Sequence, residues 1–531
     1  MVIKMKRKRT LLAIASALLI FLCAWLVYPG DNVAGSYVRS TIDAEKLYNV
    51  DTQSEIRASL DDLIADHTYT EDNPLMMYNV FGTNTLSMYT YFTTSQKARV
   101  SYTIHVDNED IDDFTRSLEQ EYTMIHEHQL IGLIPDTQNT ITLHIEYQDG
   151  TNKDYSTTYT VGSLQGKEEV ILDKTSGSST EEVSDGLYVI LGNDSTEEDF
   201  MYYYDNNGVI RGEIPIVEYR SHRLLFDDDS MYFSYDHFNL AKMNSLGQIT
   251  ATYDLGTYEL HHDYVYDDHG NILILATDTT AKTVEDKIIR LHPDTGEITE
   301  VCDMGDLFSS YKVAITLANP DDDELDWTHL NTIQWMGDDE ILVSSRETST
   351  IVKIKDLYTN PTIDYMMGEK TFWEDTEYED LLLDKTNSFI SQSGQHSITY
   401  VEDDRLDEDQ YYLYMFNNNF GISNSNTAYD WSQVGCATEL KDSTASSQYY
   451  RYLVDENTGT YELVDSFDVP YSPYVSSVQN IGNTTVVDSG MDFSFQEYDS
   501  EHNLIQSFKM DGEKYIYRVY KYTFDSFYFD K

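Results

Sequence analysis

Four histidines occupy the same point of a recurring pattern, each at the start of an apolar-alternating segment. These segments are His222-Arg-Leu-Leu-Phe, His262-Asp-Tyr-Val-Tyr, His329-Leu-Asn-Thr-Ile and His396-Ser-Ile-Thr-Tyr. If each segment is the innermost strand of one repeat around a central axis, equivalent positions form a ring at one end of that axis. The spacing therefore predicts that these histidines converge on one pocket. Neutral imidazole is a competent nucleophile near neutral pH, so covalent group transfer is one chemistry available there.

A ring of histidines also suits a metal ion such as zinc, and a carboxylate such as Asp263 or Asp326 would then be expected among the ligands. The position of Arg346 argues against a metal, because it ends the apolar strand at 341–345 in the unit that begins with His329. A fixed positive charge disfavours a dication, whereas arginine with several imidazole donors suits a tetrahedral oxyanion such as sulfate or phosphate. The residues by themselves predict an oxyanion pocket without metal or cofactor.

Short motifs around these residues follow one another in a characteristic order. They are His261-His262-Asp263, Asp326-Trp327-Thr328-His329-Leu330-Asn331, Ser344-Ser345-Arg346 and Gly394-Gln395-His396. Together they resemble the ordered motifs of bacterial arylsulfate sulfotransferases, the enzymes that do not use the nucleotide sulfate donor. Phe416-Asn417-Asn418-Asn419 resembles the family's Phe-Asp-Asn-Gly segment, with Asn in place of Asp and Gly. The resemblance covers about residues 70–525.

The resemblance implies a ping-pong reaction between phenols through a covalent sulfohistidine. By position, His396 is the implied nucleophile, and His262, His329 and Arg346 hold the sulfuryl oxygens. His329 or His262 protonates the departing phenolate, and Asn331 contacts the phenol. Whether His261 or His262 matches the family histidine stays open, although the repeat register favours His262. The implied partners are small aryl sulfates and phenols, with no cofactor and with a homodimer as the assembly seen in the family.

The elements that must position these residues recur as six units of two apolar strands joined by an acidic or Gly turn. The second strands of the units are predicted at 188–191, 231–235, 272–276, 341–344, 411–416 and 484–487. Repeats of this kind are typical of propeller blades with loop insertions. We therefore predict an all-β fold with a six-bladed β-propeller over residues 185–531.

Ahead of the propeller, the sequence predicts a smaller domain and its connections. Residues 31–67 are predicted as a tether and a short helix, with Thr52 and Glu55 as a capping box and with Ile56, Leu60, Leu63 and Ile64 on one face. Alternating strands around 100–106 and 141–147 predict a small β-sandwich over residues 68–165. The polar Ser- and Thr-rich segment at 166–184 is predicted as a linker.

The first 30 residues differ from the rest of the chain. A basic cluster at positions 4–9 precedes an apolar run at 11–28 that is about long enough to span a bilayer. We favour a signal anchor over a cleaved signal peptide, since no convincing cleavage site follows. Either interpretation predicts an extracytoplasmic bacterial protein, membrane-anchored or secreted.

The composition excludes one class of partner. The formal net charge is −58, with 93 acidic against 35 basic residues, so nucleic-acid binding is not expected. Cys302 and Cys436 are the cysteines outside the N-terminal run, which allows at most one disulfide.

Three functions remain in competition at this point. The first is aryl-sulfate sulfotransfer by His396. The second is a non-catalytic binding or adhesion propeller at the cell surface that keeps the fold without the chemistry. The third is a metal-dependent propeller hydrolase, which a chelator would inactivate.

Overall fold

The computed structural model of the protein describes residues 44–192, 200–512 and 514–530, and β-strands predominate among them. The predicted apolar membrane segment at 1–30 lies outside these residues. No helix in the described ranges is long and apolar enough to cross a membrane. Cys302 and Cys436 are both buried and unpaired.

Two helices precede the first sheet, α1 at Ala44–Leu47 and α2 at Val50–Asp66. The predicted capping box at Thr52 is wrong, because Asn49 is the N-cap and its side chain accepts the N–H of Thr52 at 2.8 Å. The helix consequently begins three residues earlier. Its predicted apolar face is confirmed, since Leu60 is buried and packs with Leu75 and Phe81.

The first domain is one antiparallel sheet built on an exceptionally long second strand. Its strands are β1 Leu75–Tyr78, β2 Ser87–Val106, β3 Phe114–Ser117, β4 Thr123–Ile131, β5 Gln138–Tyr147 and β6 Asn152–Thr160. The first half of β2 pairs with β1 and β4, and its second half pairs with β3 and β5. Because β2 changes partners along its length, the two halves enclose a common core. The alternation predicted around 100–106 and 141–147 is confirmed in β2 and β5.

The segment predicted as a linker, 166–184, contains a strand, β7 Asp173–Ser176. This strand pairs antiparallel with β33 Leu504–Lys509, near the other end of the chain. All four of its residues are exposed, so nothing in their polarity distinguishes an edge strand from a linker. The pairing is made by the backbone.

Within the described ranges, the rest of the chain forms six antiparallel sheets with four strands in sequential pairing. The first sheet contains β8 Leu187–Ile190, β9 Phe200–Tyr204, β10 Ile210–Pro215 and β34 Val519–Tyr522. The second contains β11 Leu225–Asp227, β12 Ser230–Ser234, β13 Asn239–Asn244 and β14 Ile249–Asp254. The third contains β15 Tyr258–Tyr266, β16 Ile272–Asp278, β18 Lys287–His292 and β19 Glu297–Asp303.

The remaining three sheets follow the same order along the chain. The fourth contains β21 Leu330–Gly337, β22 Glu340–Ser345, β23 Thr350–Lys355 and β24 Thr362–Met367. The fifth contains β26 His396–Val401, β27 Gln410–Asn417, β28 Ser447–Asp455 and β29 Thr460–Val469, with β25 Asp384–Lys385 added at its edge. The sixth contains β30 Ser477–Ile481, β31 Thr484–Ser489, β32 Ser494–Tyr498 and β33, with β7 at its edge. All six predicted second strands are confirmed as β8, β12, β16, β22, β27 and β31.

The first strands of successive sheets lie side by side. β15 contacts β21, β21 contacts β26, and β30 contacts both β26 and β34. The hydroxyl of Tyr522 in β34 accepts the N–H of Leu224, which precedes β11, at 3.2 Å. Arg223, next to it, pairs with Asp263 of β15. The inner strands therefore surround a common axis, an arrangement typical of β-propellers.

The insertions between the third, fourth and fifth sheets pack against one another. They contain α3 Met304–Leu307, α4 Ser309–Ala318 and α5 Lys370–Trp373. Single 3₁₀ turns lie at Glu379–Leu381, Trp431–Gln433 and Gly490–Asp492. A short parallel pair, β17 Thr283–Val284 with β20 Leu325–Asp326, links the third sheet to the insertion before the fourth. Phe308, Trp327 and Trp373, which lie in these insertions, form part of one buried cluster.

Candidate active site

The inner strands β15, β21 and β26 share a local irregularity at the end that carries the predicted histidines. In each strand the register with its neighbour shifts, between Leu260 and Tyr264, between Leu330 and Thr332, and between His396 and Thr399. His262 has φ +59° and His329 has φ +49°, whereas in β26 the left-handed residue is Ser397 with φ +55°. Bulges redirect side chains. The three inner strands therefore share a bulge at an equivalent place. In β26 the residue with positive φ is the one after the histidine, Ser397, rather than the histidine itself.

His396 is held in one tautomer by two acceptors. Its Nδ1 lies 2.9 Å from the carbonyl oxygen of Gly394 and 2.8 Å from Oδ1 of Asn418. Because neither oxygen can donate, Nδ1 carries the hydrogen and Nε2 has the free lone pair. Burial, together with the charges of His329 and Arg346, lowers the pKa of His396 to about 3. The imidazole is therefore neutral across the physiological pH range, with Nε2 as the nucleophilic atom.

The orientation of the Asn418 amide is itself fixed. Its Nδ2 donates to the carbonyl oxygens of Ser472 at 2.8 Å and Val475 at 3.0 Å. Both are acceptors, so the nitrogen must face them and Oδ1 must face His396. Asn418 is completely buried and lies in the Phe416–Asn419 segment, where the sequence had assigned no residue a role. The motif was visible in the sequence, but the function of this amide was not.

His329 lies between two carboxylates. Its Nδ1 is 2.6 Å from Oδ2 of Asp326 and 2.8 Å from Oε2 of Glu285. Burial opposes the charged form, but Asp326 and Glu285 outweigh burial and raise the pKa of His329 to about 9. At neutral pH His329 is an imidazolium. The chain therefore places a protonated and a neutral histidine in one site.

The short pair β17–β20 positions both carboxylates. Asp326 is the last residue of β20, and Glu285 directly follows β17 with φ +55°. The Glu285 N–H donates to Oγ1 of Thr277 at 2.7 Å, and its carbonyl accepts from Oγ1 of Thr328 at 3.1 Å. The main chain at Glu285 is thereby fixed on both sides. Sequence reasoning missed Glu285, because no motif surrounds it.

His262, rather than His261, is the histidine next to His329. The rings of His262 and His329 are 4.7 Å apart between centroids. Nδ1 of His262 lies 3.0 Å from the hydroxyl of Tyr517, and its Nε2 lies 3.1 Å from Oε2 of Glu285. His261 is also buried and packs edge-on against the His262 ring, with centroids 5.2 Å apart. Burial lowers the pKa of both His261 and His262, so both are neutral.

Arg346 is fixed by its backbone and by the adjacent carboxylate. Its N–H donates to the carbonyl of His329 at 3.1 Å, and its Nη2 bonds Oε1 of Glu347. Glu347 is completely buried and also accepts from Ser423 and Ser425 of the insertion at 418–446. The buried Nε of Arg346 has no hydrogen-bond partner in the described part of the chain. One N–H of the guanidinium is therefore available to an anion.

Asn331 lies next to the residue before His396, with its amide turned to the backbone. Nδ2 donates to the carbonyl of Gln395 at 2.7 Å, and the side chain is completely buried. The contact with a phenol stays a prediction. His222, the fourth histidine of the register, bonds Oγ of Ser234 through Nδ1 and packs edge-on against Tyr517.

Aromatic rings adjoin the charged groups. The guanidinium carbon of Arg346 lies 5.5 Å from the centroid of Tyr474, and Tyr474 packs edge-on against Phe420 at 5.3 Å. Tyr517 packs parallel to His262 with centroids 5.9 Å apart. Neither tyrosine was singled out from the sequence, since the chain contains 44 of them.

Ligation of a metal ion is the alternative explanation for the carboxylates Glu285 and Asp326 beside the histidines. One donor atom each from His261, His262 and Glu285 lie within 4.8 Å of one another, as do those from Glu285, Asp326 and His329. However, Nδ1 of His329 faces two carboxylates and carries a hydrogen, and the Arg346 charge acts on both Glu285 and His329. This arrangement fits a protonated imidazole between carboxylates better than a ligated dication.

Models of known protein families match both the first domain and the six-sheet part of the chain. The model described as arylsulfotransferase (ASST) matches residues 173–523, and the model described as arylsulfotransferase Ig-like domain matches residues 75–162. No curated protein matches the chain at a significant level.

Solved structures share only a general likeness. A crystal structure from Bacteroides uniformis that carries a 6-phosphogluconolactonase assignment is 12% identical, with a TM-score of 0.35, and covers 80% of this chain and 99% of its own. The WD40 domain of Toxoplasma gondii coronin is 8% identical, with a TM-score of 0.34, and covers 65% of this chain and 75% of its own.

Proposed function

This chain belongs to the arylsulfotransferase family, and we propose that it moves a sulfuryl group from an aryl sulfate to a phenol through a sulfohistidine at His396. The observation that carries the proposal is the tautomer of His396. Two acceptors hold the hydrogen on Nδ1 and leave Nε2 as the nucleophile. A second histidine, His329, supplies the proton that the leaving group requires.

In the first half-reaction, the Nε2 lone pair attacks sulfur and forms an N–S bond. The S–O bond to the aryl group breaks, and its electron pair goes to the phenolate oxygen. The imidazolium of His329 gives that oxygen a proton, so that a neutral phenol leaves. Because burial lowers the pKa of His262 and leaves it neutral, His329 is the histidine of the two that carries an imidazolium proton to give at neutral pH.

In the second half-reaction, an acceptor phenol loses its proton to the now neutral His329 as its oxygen attacks sulfur. The N–S bond breaks, and its electron pair returns to Nε2. The new aryl sulfate leaves, and both histidines regain their starting protonation states. Splitting the transfer into two displacements lowers the barrier of each step.

Arg346 and His262 stabilise the charge on the sulfuryl oxygens in both steps. The free Nε–H of Arg346 supports this assignment for the arginine. A fixed donor at such a position is worth roughly 3–4 kcal/mol. For His262, contact with a sulfuryl oxygen requires Nε2 to leave Glu285. Asn331 contributes by holding the backbone before His396, and its contact with the phenol is part of the proposal.

The setting of the reaction belongs to the proposal too. The six sheets are interpreted as the blades of a six-bladed propeller, with residues 68–165 as a separate preceding domain. The basic and apolar N-terminal segment supports export to an extracytoplasmic site, with an anchor in the cell membrane. The family resemblance supports a homodimer.

A burst experiment tests the chemistry. The purified chain is mixed with 4-nitrophenyl sulfate without acceptor, and nitrophenol is followed. We expect one equivalent of nitrophenol per chain and a protein mass increased by one SO₃ group, which added phenol removes. His396→Asn abolishes the burst, whereas the control His502→Asn retains it, since His502 lies on the surface and pairs with Asp465. A chain that releases no nitrophenol would contradict the proposed sulfotransfer.

A metal-dependent hydrolase is the second candidate, favoured by Glu285 beside His261 and His262. In that case a chelator removes activity and zinc restores it, and no sulfated protein accumulates. Full activity after dialysis against a chelator excludes this candidate.

A further inference from the structure

A second cluster of histidines lies in the first domain, on the surface formed by β2 and β4. Nδ1 of His126 is 2.9 Å from both carboxylate oxygens of Glu119, and Nε2 of His128 is 2.7 Å from Oε1 of the same carboxylate. We propose that Glu119, His126 and His128 bind a zinc ion or a similar divalent transition metal. This site is independent of the function proposed above.

Strand geometry brings the two imidazoles together. His126 and His128 are two residues apart on β4, so their side chains project from the same face of the sheet. Glu119 reaches them from the connection between β3 and β4. One donor atom from each of the three residues lies within 4.8 Å of the others. Two imidazoles on a strand plus one carboxylate from a loop make a His₂Glu ligand set, which leaves one position of a tetrahedral zinc for water.

The ligands are already ordered by their surroundings. His126 is completely buried, its ring stacks on Phe92 with centroids 4.7 Å apart, and its Nε2 lies 3.2 Å from Oγ1 of Thr94. A partner on the second ring nitrogen is the usual support of a metal-bound histidine. Thr90, the cross-strand neighbour of His128, has a buried Oγ1 without a hydrogen-bond partner among the described residues. That hydroxyl is available to a water ligand.

Charge and donor type identify the class of metal. The cluster contains two imidazole nitrogen donors and one carboxylate, which suits zinc and its neighbours rather than calcium or magnesium. Exposed fractions of 10% for the Glu119 and 19% for the His128 side chains leave a path from solvent.

The same domain contains a natural control. His144 pairs with Asp154 at 2.9 Å, both side chains are exposed, and among the residues that the structure describes no second histidine joins the pair. A single exposed histidine–carboxylate pair resembles the cluster chemically without offering a third ligand. His144→Ala therefore measures how much of the zinc binding comes from an exposed histidine of this domain outside the proposed site.

The test is zinc titration of the purified full chain after dialysis against a chelator. We expect calorimetry to give a site in the first domain that binds zinc, and cobalt(II) to give the visible absorption of a tetrahedral complex. His128→Ala and Glu119→Gln should weaken this site by more than about 100-fold, beyond the loss caused by removing an outer partner. Thr94→Val should weaken it by about 10–100-fold, and His144→Ala should leave it unchanged.

Two results would overturn the proposal. One is a chain that binds no zinc and shows no cobalt spectrum. The other is zinc binding that His128→Ala and Glu119→Gln do not weaken, which would assign the bound metal to another part of the chain. Circular dichroism of each variant shows whether the domain is folded, and Glu119→Gln keeps the shape of the side chain if His128→Ala does not fold.

Discussion

The protonated state of His329 depends on Asp326, so Asp326→Asn should move the alkaline limit of the reaction. Asp326 and Glu285 together raise the pKa of His329 to about 9, against an ordinary value near 6.5. That difference corresponds to roughly 3 kcal/mol in favour of the imidazolium. An opposite charge at hydrogen-bond distance accounts for about 1–3 units. With Glu285 still in place, we expect the pKa of His329 to fall by about 1–2 units in the variant.

The sign of the effect on activity follows from the proposed role of His329 as the acid. The active form is the imidazolium, so kcat/KM for the donor is highest below the pKa of His329 and falls as pH rises through it. In the wild type we expect this fall near pH 9. In Asp326→Asn it should occur about 1–2 pH units lower. Aryl sulfates with poor leaving groups should lose more activity than nitrophenyl sulfate, because they depend more on protonation.

The measurement is the pH profile of kcat/KM for two aryl sulfates, in the wild type and in Asp326→Asn. Asp323→Asn is the matched control, since Asp323 is three residues away and its side chain is 83% exposed. A variant that loses the same factor at every pH, with the alkaline limit unmoved, would refute the assignment of His329 as the acid. An alkaline limit that moves upward would refute the electrostatic argument itself.

Three further outcomes follow from the structure. On the acid side, activity should persist to about pH 4, because the pKa of His396 is about 3 and His396 stays neutral above that pH. The same pH profile measures this acid limit. Asn418→Ala should lower the rate of the nitrophenol burst by about 10²–10⁴-fold without weakening donor binding, since the tautomer and orientation of His396 lose one of two supports; an unchanged burst would contradict this. Lys521→Met should lower the free energy of unfolding by about 3–5 kcal/mol in denaturant titrations, because it leaves the completely buried Glu497 without its cation. The double variant with Glu497→Leu should recover most of that loss, and failure to recover would show that the pair is not the cause.

Much of the fold could be read from the sequence because its signals are local. Apolar alternation bounded by turns identified β8, β12, β16, β22, β27 and β31, and each lies second in its sheet. The repeat predicted a histidine at the start of the inner strand, which is confirmed for His396 in β26 and for His329 directly before β21, whereas His262 lies in the middle of β15. These features depend on nearest neighbours, which is why a single sequence reveals them.

The residues that the sequence did not reveal depend on contacts between distant segments. Glu285 acquires its position through the parallel pair β17–β20, which joins segments about 40 residues apart. Strand β7 is polar and exposed and becomes a strand only because β33 offers it an edge. The tautomer of His396 depends on Asn418, whose amide is fixed in turn by Ser472 and Val475. Such partners can be recognised only once the sheets are assembled.

The pairing of β34 with β8 has a consequence for when the protein first becomes competent. Val519–Tyr522 supplies the inner strand of the first sheet, so that sheet stays incomplete until residues 519–522 join strands more than 300 residues earlier in the chain. The same segment carries Tyr517, which bonds His262, and Arg518, which bonds Asp263. Contacts of such long sequence separation form slowly and late. A folding chain therefore gains the β34–β8 pairing and the support of His262 together, among its last contacts.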